Sequence, residues 1–170
     1  MSSIACAPGV GSIPVSDDVH RAIALLNLDY AISIDEDRLE SWPDFFIERC
    51  LYRVVPRRDY ELGRLASLVS CDSKGMLKDR VSAIRKVNVF EPHRYRHILG
   101  PTRILNADEA CIETYTSYLV VRTTQDGPML VFSAGSYRDK VVFVEGAPKF
   151  RTRCVVCDSE AIDTLLSLPI

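Results

Sequence analysis

The sequence predicts an α+β fold in which a curved, antiparallel-rich sheet wraps around N-terminal helices like a cone. Three observations predict it. Apolar residues recur at helical spacing in two segments of the first half. Long β-type segments fill the second half. Turn residues punctuate those segments where hairpins need them. Helices followed by a meander give the α+β pattern. Strands longer than the usual ~5–6 residues must twist and coil, which is what bends a sheet into a cone.

The elements follow in chain order. Residues 1–15 are small, Gly/Pro-rich and aperiodic, and read as a flexible tail before one domain over 16–170. Ser16 offers an N-cap, with Asp17 and Asp18 suited to the helix dipole in the first turn. Val19, Ile23, Leu26 and Tyr30 then form one apolar stripe on a helix ending near Ser33. A second helical piece over about 35–46 carries Leu39, Trp42, Phe45 and Phe46, and Pro43 makes it a turn rather than a long helix. Cys50 to Val55 reads as a strand stopped by Pro56, and Leu62 to Val69 as a second strand. Ser73 caps a helix from Lys74 to Val87, whose buried face is Leu77, Val81, Ile84 and Val87, and Glu91-Pro92 breaks it. Strands are expected over 96–105, 110–123, 128–144 and 149–158. Asp126-Gly127 and Glu145-Gly146-Ala147-Pro148 join the last three, and Gly135 marks a bulge or bend inside one of them.

Composition narrows the function. A chain of 170 residues buries roughly 70% of its unfolded surface and needs no staples. Its 47% apolar and 26% charged residues are those of an ordinary globular domain. The net charge of −2, from 21 basic and 23 acidic residues, lacks the basic excess of a nucleic-acid partner. The first residues lack the charge and apolar run of a secretory leader, and no stretch approaches the ~20 apolar residues of a membrane span. A cytoplasmic protein is expected, so the six cysteines should be reduced.

The chemistry-bearing motifs are sparse. Cys154-x-x-Cys157 has metal-like spacing, but structural zinc needs a second pair, and within a strand the two thiols point to opposite faces. His93-Arg94-Tyr95-Arg96-His97 would align its histidines on a helix, yet Pro92 and Gly100-Pro101 leave no room for one. A structural or interface cluster fits better, since planar guanidinium groups favour contacts with partners. Gly9-x-Gly11 has no preceding strand and stops at Pro14, so it carries no nucleotide signal. An acid–base site inside the cone would draw on Asp29, Tyr30, Asp79 and His97. It would make the chain a stand-alone lyase or isomerase, with Asp79 and His97 as the working pair. Packing and surface roles for the same residues, or an empty cone used as a carrier pocket, remain open alongside it.

Several segments together resemble the small (beta) subunits of aromatic-ring-hydroxylating oxygenases. They are Trp42-Pro43-Asp44-Phe45-Phe46, Tyr52-Arg53-Val54, Ser73-x-x-Met76-Leu77-Lys78-Asp79-Arg80, His93 to Gly100, Val156-Cys157-Asp158-Ser159 and Asp163 to Ile170. The resemblance runs from about residue 19 to the end and leans toward members serving aromatic carboxylates, terephthalate before salicylate. It implies a nuclear-transport-factor or ketosteroid-isomerase type of cone. It also implies a hexamer of three large and three small subunits. The large subunit would carry a Rieske iron–sulfur cluster and a mononuclear iron, fed by a nicotinamide-dependent reductase. The small subunit would be structural, with no catalytic, cofactor or metal residue. Arg57, Arg58, His93, Arg94 and Arg96 are the expected subunit-interface residues. The residue count agrees. A Rieske centre takes two histidines and a facial-triad iron takes two more, whereas the chain has three in all.

Overall fold

A computed structural model describes residues 14–64, 66–86, 92–125, 127–160, 166 and 168–170. The expected tail before Pro14, with its Gly9-x-Gly11 pattern, lies outside these residues, as do Val87, Glu91, Asp126 and Asp163 to Leu165.

Helix α1 (Asp17–Asp35) begins where Ser16 Oγ accepts the Val19 N–H at 3.3 Å. Its inward stripe of Ile23, Leu26, Tyr30 and Ile34 is buried, as the periodicity requires. A 3-10 turn (Leu39–Phe45) contains Pro43 and buries Leu39 and Trp42. Strand β1 (Phe46–Pro56) leads into the short helix α2 (Arg57–Glu61), strand β2 (Val69–Cys71) and helix α3 (Lys74–Lys86). Ser73 Oγ accepts the Met76 N–H at 3.3 Å, and α3 buries Leu77, Val81 and Ile84. The remainder is β3 (His93–Leu99), β4 (Arg103–Ala107), β5 (Ile112–Thr124), β6 (Met129–Val144) and β7 (Ala147–Cys157).

All seven strands form one sheet in the order β2-β1-β7-β6-β5-β3, with β4 also on β5. The β1–β7 pair is parallel and the others are antiparallel. That pair ties the first long strand to the last, and the concave face closes over α1. The core there is aromatic: Tyr30, Trp42, Phe46, Tyr52, Tyr137 and Phe150 are buried and meet largely edge to face.

Four expectations are corrected. The described residues of the expected strand from Leu62 to Val69 are not in a strand until Val69, the first residue of β2. Gly63 turns the chain at φ +65°, Leu62 and Leu68 stay exposed, and pairing begins only at Val69, opposite Val54. The expected strand over 96–105 is two strands, because Gly100-Pro101 interrupts it and the Gly100 N–H turns to the Ser117 carbonyl at 2.9 Å. Gly135 is not a bulge. It pairs in register with Tyr118 and Cys157, and a Cβ there would lie 2.0 Å from the Val156 carbonyl oxygen. The register shifts fall elsewhere, between Phe46 and Leu51, Ile104 and Asn106, Val120 and Val121, and Lys140 and Val141. The β6–β7 hairpin uses only Glu145 and Gly146, at φ 51° and 81°, so Pro148 lies within β7.

Candidate functional site

The interior of the cone is where this fold could hold a ligand, and side chains fill it. Alternation along β7 points Arg153, Val155 and Cys157 inward, and Arg153 is fully buried. Its Nε and Nη2 donate to the two carboxylate oxygens of Asp139 at 3.1 and 2.7 Å. Nη2 also donates to Asn27 Oδ1 on α1. The guanidinium lies 4.1 Å from the Tyr30 ring centroid, 4.2 Å from Tyr137 and 3.8 Å from Phe150. A charge taken this far from water survives only with such partners. Burial pushes the Asp139 carboxyl up and Arg153 pulls it back. The guanidinium keeps its proton in any case. Asn27 Nδ2 donates onward to the Thr102 and Thr116 hydroxyls at 3.1 and 3.4 Å, which ties α1 to the sheet.

The C-terminal residues fill the adjoining space. Ile170 is buried, and its carbonyl oxygen accepts from the Tyr30 and Tyr52 hydroxyls at 3.1 Å each. Arg80 Nη2 donates to the Leu166 carbonyl at 2.6 Å. Burial pushes the phenols of Tyr30, Tyr52 and Tyr137 above the ordinary tyrosine range, so they stay neutral, and Tyr30 and Tyr52 act as donors. Tyr118 stacks on Tyr137 at 4.7 Å and bonds to Ser133 and Cys157.

The acid–base candidates do not converge. His97 is buried on β3, but its partner is Asp35, at the end of α1, not Asp79. Nδ1 of His97 lies 2.6 Å from Asp35 Oδ1, and its backbone N–H donates to Oδ2 at 2.9 Å. Asp79 and Asp29 are exposed on α3 and α1. Tyr30 alone of the four lies in the cone interior. Sequence reasoning missed Asn27, Asp35, Asp139 and Arg153. A signal existed for Arg153, which shares the inward parity of Val155 and Cys157; Asp35 is 62 residues from His97 and gave none.

The two cysteines of Cys154-x-x-Cys157 sit on opposite faces of β7. Cys157 is in the core, and Cys154 is half-buried on the other side with its thiol pushed up to about 11 by burial. The three histidines are dispersed. His20 bonds to the Thr102 carbonyl at 2.7 Å, His97 is held by Asp35, and the His93 ring packs 5.0 Å from Tyr95. Among the described residues no three His, Cys, Asp or Glu side chains are placed to share an ion. The donor set fits neither a Rieske cluster nor a facial-triad iron.

The five expected interface residues occupy two places. Arg57 and Arg58 are exposed on α2, where Arg57 Nε donates to Asp158 at 2.9 Å and Arg58 lies 3.7 Å from Glu160. His93, Arg94 and Arg96 lie on β3, with β7, β6 and β5 between that strand and β1. Arg94 and Arg96 point to solvent, and His93 is half-buried. A cleft of about 470 Å³ beside β3 is lined by Asp35, Asp37, Arg85, His93 and Arg94. Arg85 is already tied to Asp37 and Glu40 at 2.7 and 2.8 Å. Among the described residues no helix is long and apolar enough to cross a membrane.

Comparison with known proteins gives three consistent results. The family model described as ring hydroxylating beta subunit matches residues 30–164. Over 148 residues the chain is 41% identical to the terminal oxygenase component subunit beta 1 of terephthalate 1,2-dioxygenase from Comamonas sp, covering 87% of this chain and 96% of that one. It is 36% identical to the anthranilate 1,2-dioxygenase small subunit of Burkholderia cepacia, covering 87% and 92%. A crystal structure assigned to the beta subunit of an aromatic-ring-hydroxylating dioxygenase from Novosphingobium aromaticivorans superposes with a TM-score of 0.84 at 37% identity, covering 92% of this chain and all of that one.

Proposed function

Because the chain belongs to the family of ring-hydroxylating beta subunits, we propose that it is the non-catalytic small subunit of a Rieske non-haem iron dioxygenase. The observation that carries this reading is the filled cone. Arg153, the surrounding rings and Ile170 occupy the space a substrate would need. A ligand in that space would have to displace a buried ion pair, and removing one partner of such a pair costs about 3–5 kcal/mol. The same packing disfavours a carrier pocket. The stand-alone lyase or isomerase loses its working pair, since Asp79 is exposed and His97 is bound to Asp35.

On this reading the chain folds as one domain over 16–170 and assembles in the cytoplasm as three small subunits with three large ones. The large subunit holds the Rieske cluster and the mononuclear iron, and a reductase supplies electrons from a nicotinamide cofactor. Arg57, Arg58, His93, Arg94 and Arg96 contribute to its contact with the large subunit. The substrate is an aromatic carboxylate. Terephthalate is favoured by the 41% identity, with an anthranilate-type substrate the nearest competitor at 36%.

The test is co-expression with the large subunit, followed by sizing, iron analysis and oxygen uptake on terephthalate, anthranilate and salicylate. The expected result is a mixed complex whose iron fractionates with the large subunit and which consumes oxygen fastest with terephthalate. About one tightly held iron per isolated small chain would overturn the non-catalytic reading, and faster uptake with another carboxylate would overturn the substrate.

A further inference from the structure

The convex face of the sheet carries a second feature, unrelated to the cone interior. Between α2 and β4, a cleft of about 260 Å³ runs over β5, β6 and β7, lined by Tyr60, Leu105, Arg138, Thr152 and Cys154 among others. Two register shifts flank it. The one between Ile104 and Asn106 extrudes Leu105, which is 51% exposed. The other, between Lys140 and Val141, leaves Arg151 of β7 unpaired at the cleft's end. Bulges re-aim side chains in this way next to functional surfaces. Tyr60 forms the opposite wall and is 43% exposed.

The floor carries one uncommitted cation. Arg138 lies opposite Tyr115 in the ladder, and its guanidinium sits 4.4 Å from that ring's centroid. The neighbouring acids are already engaged: Glu113 pairs with Lys140 at 3.0 Å, and Asp139 faces the interior with Arg153. Among the described residues Arg138 has no ion pair, and its Nε is buried without a hydrogen-bond partner. A buried donor left unmet costs stability in the free chain. A guanidinium held flat on a ring still offers its edge to a carboxylate, in bidentate geometry.

We propose that this cleft is the socket for an acidic side chain, flanked by apolar residues, on the large oxygenase subunit; the inference rests on the beta-subunit reading above. The charge asks for a carboxylate, and Leu105 and Tyr60 ask for apolar neighbours beside it. The volume favours an inserted side chain over a free ligand, because ligand pockets usually enclose about 300–1,000 Å³.

The test uses the complex co-expressed with the large subunit and follows its dissociation on dilution by light scattering. Arg138→Met keeps the stem and removes the charge. It should raise the dissociation concentration about 30-fold or more, the range expected when one partner of a desolvated charge pair is truncated. Leu105→Asp, at an exposed position, should act in the same direction without touching the fold, and it carries the test if Arg138→Met melts early. Arg21→Ala, on the exposed side of α1, should dissociate like the wild type. A wild-type complex that both cleft variants leave equally tight would overturn the socket and leave the beta-subunit reading intact. A wild-type chain that forms no complex at all would overturn both.

Discussion

Arg153 shows most sharply how one residue decides what the molecule is able to do. It is fully buried, it faces both carboxylate oxygens of Asp139, and three aromatic rings enclose it. Arg153→Met should therefore lower stability by about 3–5 kcal/mol, because it strands Asp139 without a counter-charge. The double variant Arg153→Met with Asp139→Leu should recover much of that loss, and urea unfolding of the singles and the double would measure it. At His97 and Asp79 the outcomes separate. Asp79→Ala should change stability by no more than about 0.5 kcal/mol, as for other exposed sites. His97→Ala should cost several times more, since it takes the ring away from the buried Asp35 Oδ1 and leaves that carboxylate only the residue 97 backbone N–H and Arg96 at 3.9 Å. Thermal melts of the two variants would check the contrast. The sequence offered His97 and Asp79 as a pair because an Asp and a His lining a cone make a chemically sensible acid–base pair. Nothing local could have replaced Asp79 with Asp35. Arg153 was legible in principle, by its parity with Val155 and Cys157, but a strand position alone does not say which face is inner.

At the scale of elements, helices were read well and irregular strands less so. Caps and periodicity are local, so Ser16, Ser73 and the stripes they precede appear as expected. The false strand at Leu62 to Val69 arose because apolar residues at a turn look like a short strand when burial is unknown. Gly135 was noticed for a sound reason and given the wrong one, since close approach of a neighbouring backbone also demands glycine. Gly135→Ala should destabilise by at least about 1–3 kcal/mol, because the neighbour is a backbone carbonyl that yields only by shifting β7. Helix α3 gives a pH test through its ties to the 3-10 turn. The Arg85 hydrogen bond lowers the Glu40 carboxyl, and the Lys74 hydrogen bond lowers that of Asp44. A carboxyl lowered in the folded state contributes stability that is complete above its unfolded pKa and is lost as pH falls through the folded value. Arg85→Ala should thus cost about 1 kcal/mol or less at neutral pH, as for exposed pairs. The difference from wild type should shrink as pH falls from about 4, which melts at pH 7 and pH 3 would show.

Across the whole molecule, the cone and its family were legible because order and spacing of many short segments accumulate over the chain. The parallel β1–β7 pair was not, because local patterning does not choose partners for strands about a hundred residues apart. Nor was the filling of the cone, which depends on Asn27, Asp139, Arg153 and Ile170 meeting in space. That filling underlies the central claim, that this chain supports an oxygenase without performing its chemistry. The most direct measurement is oxygen uptake per bound iron in the complex reconstituted with His97→Ala. His97 is the buried histidine best placed for acid–base work, held by a carboxylate at 2.6 Å. The account expects a complex that assembles less stably but turns over near the wild-type rate per iron. A complex with normal iron content and normal melting whose rate falls a thousandfold would contradict it.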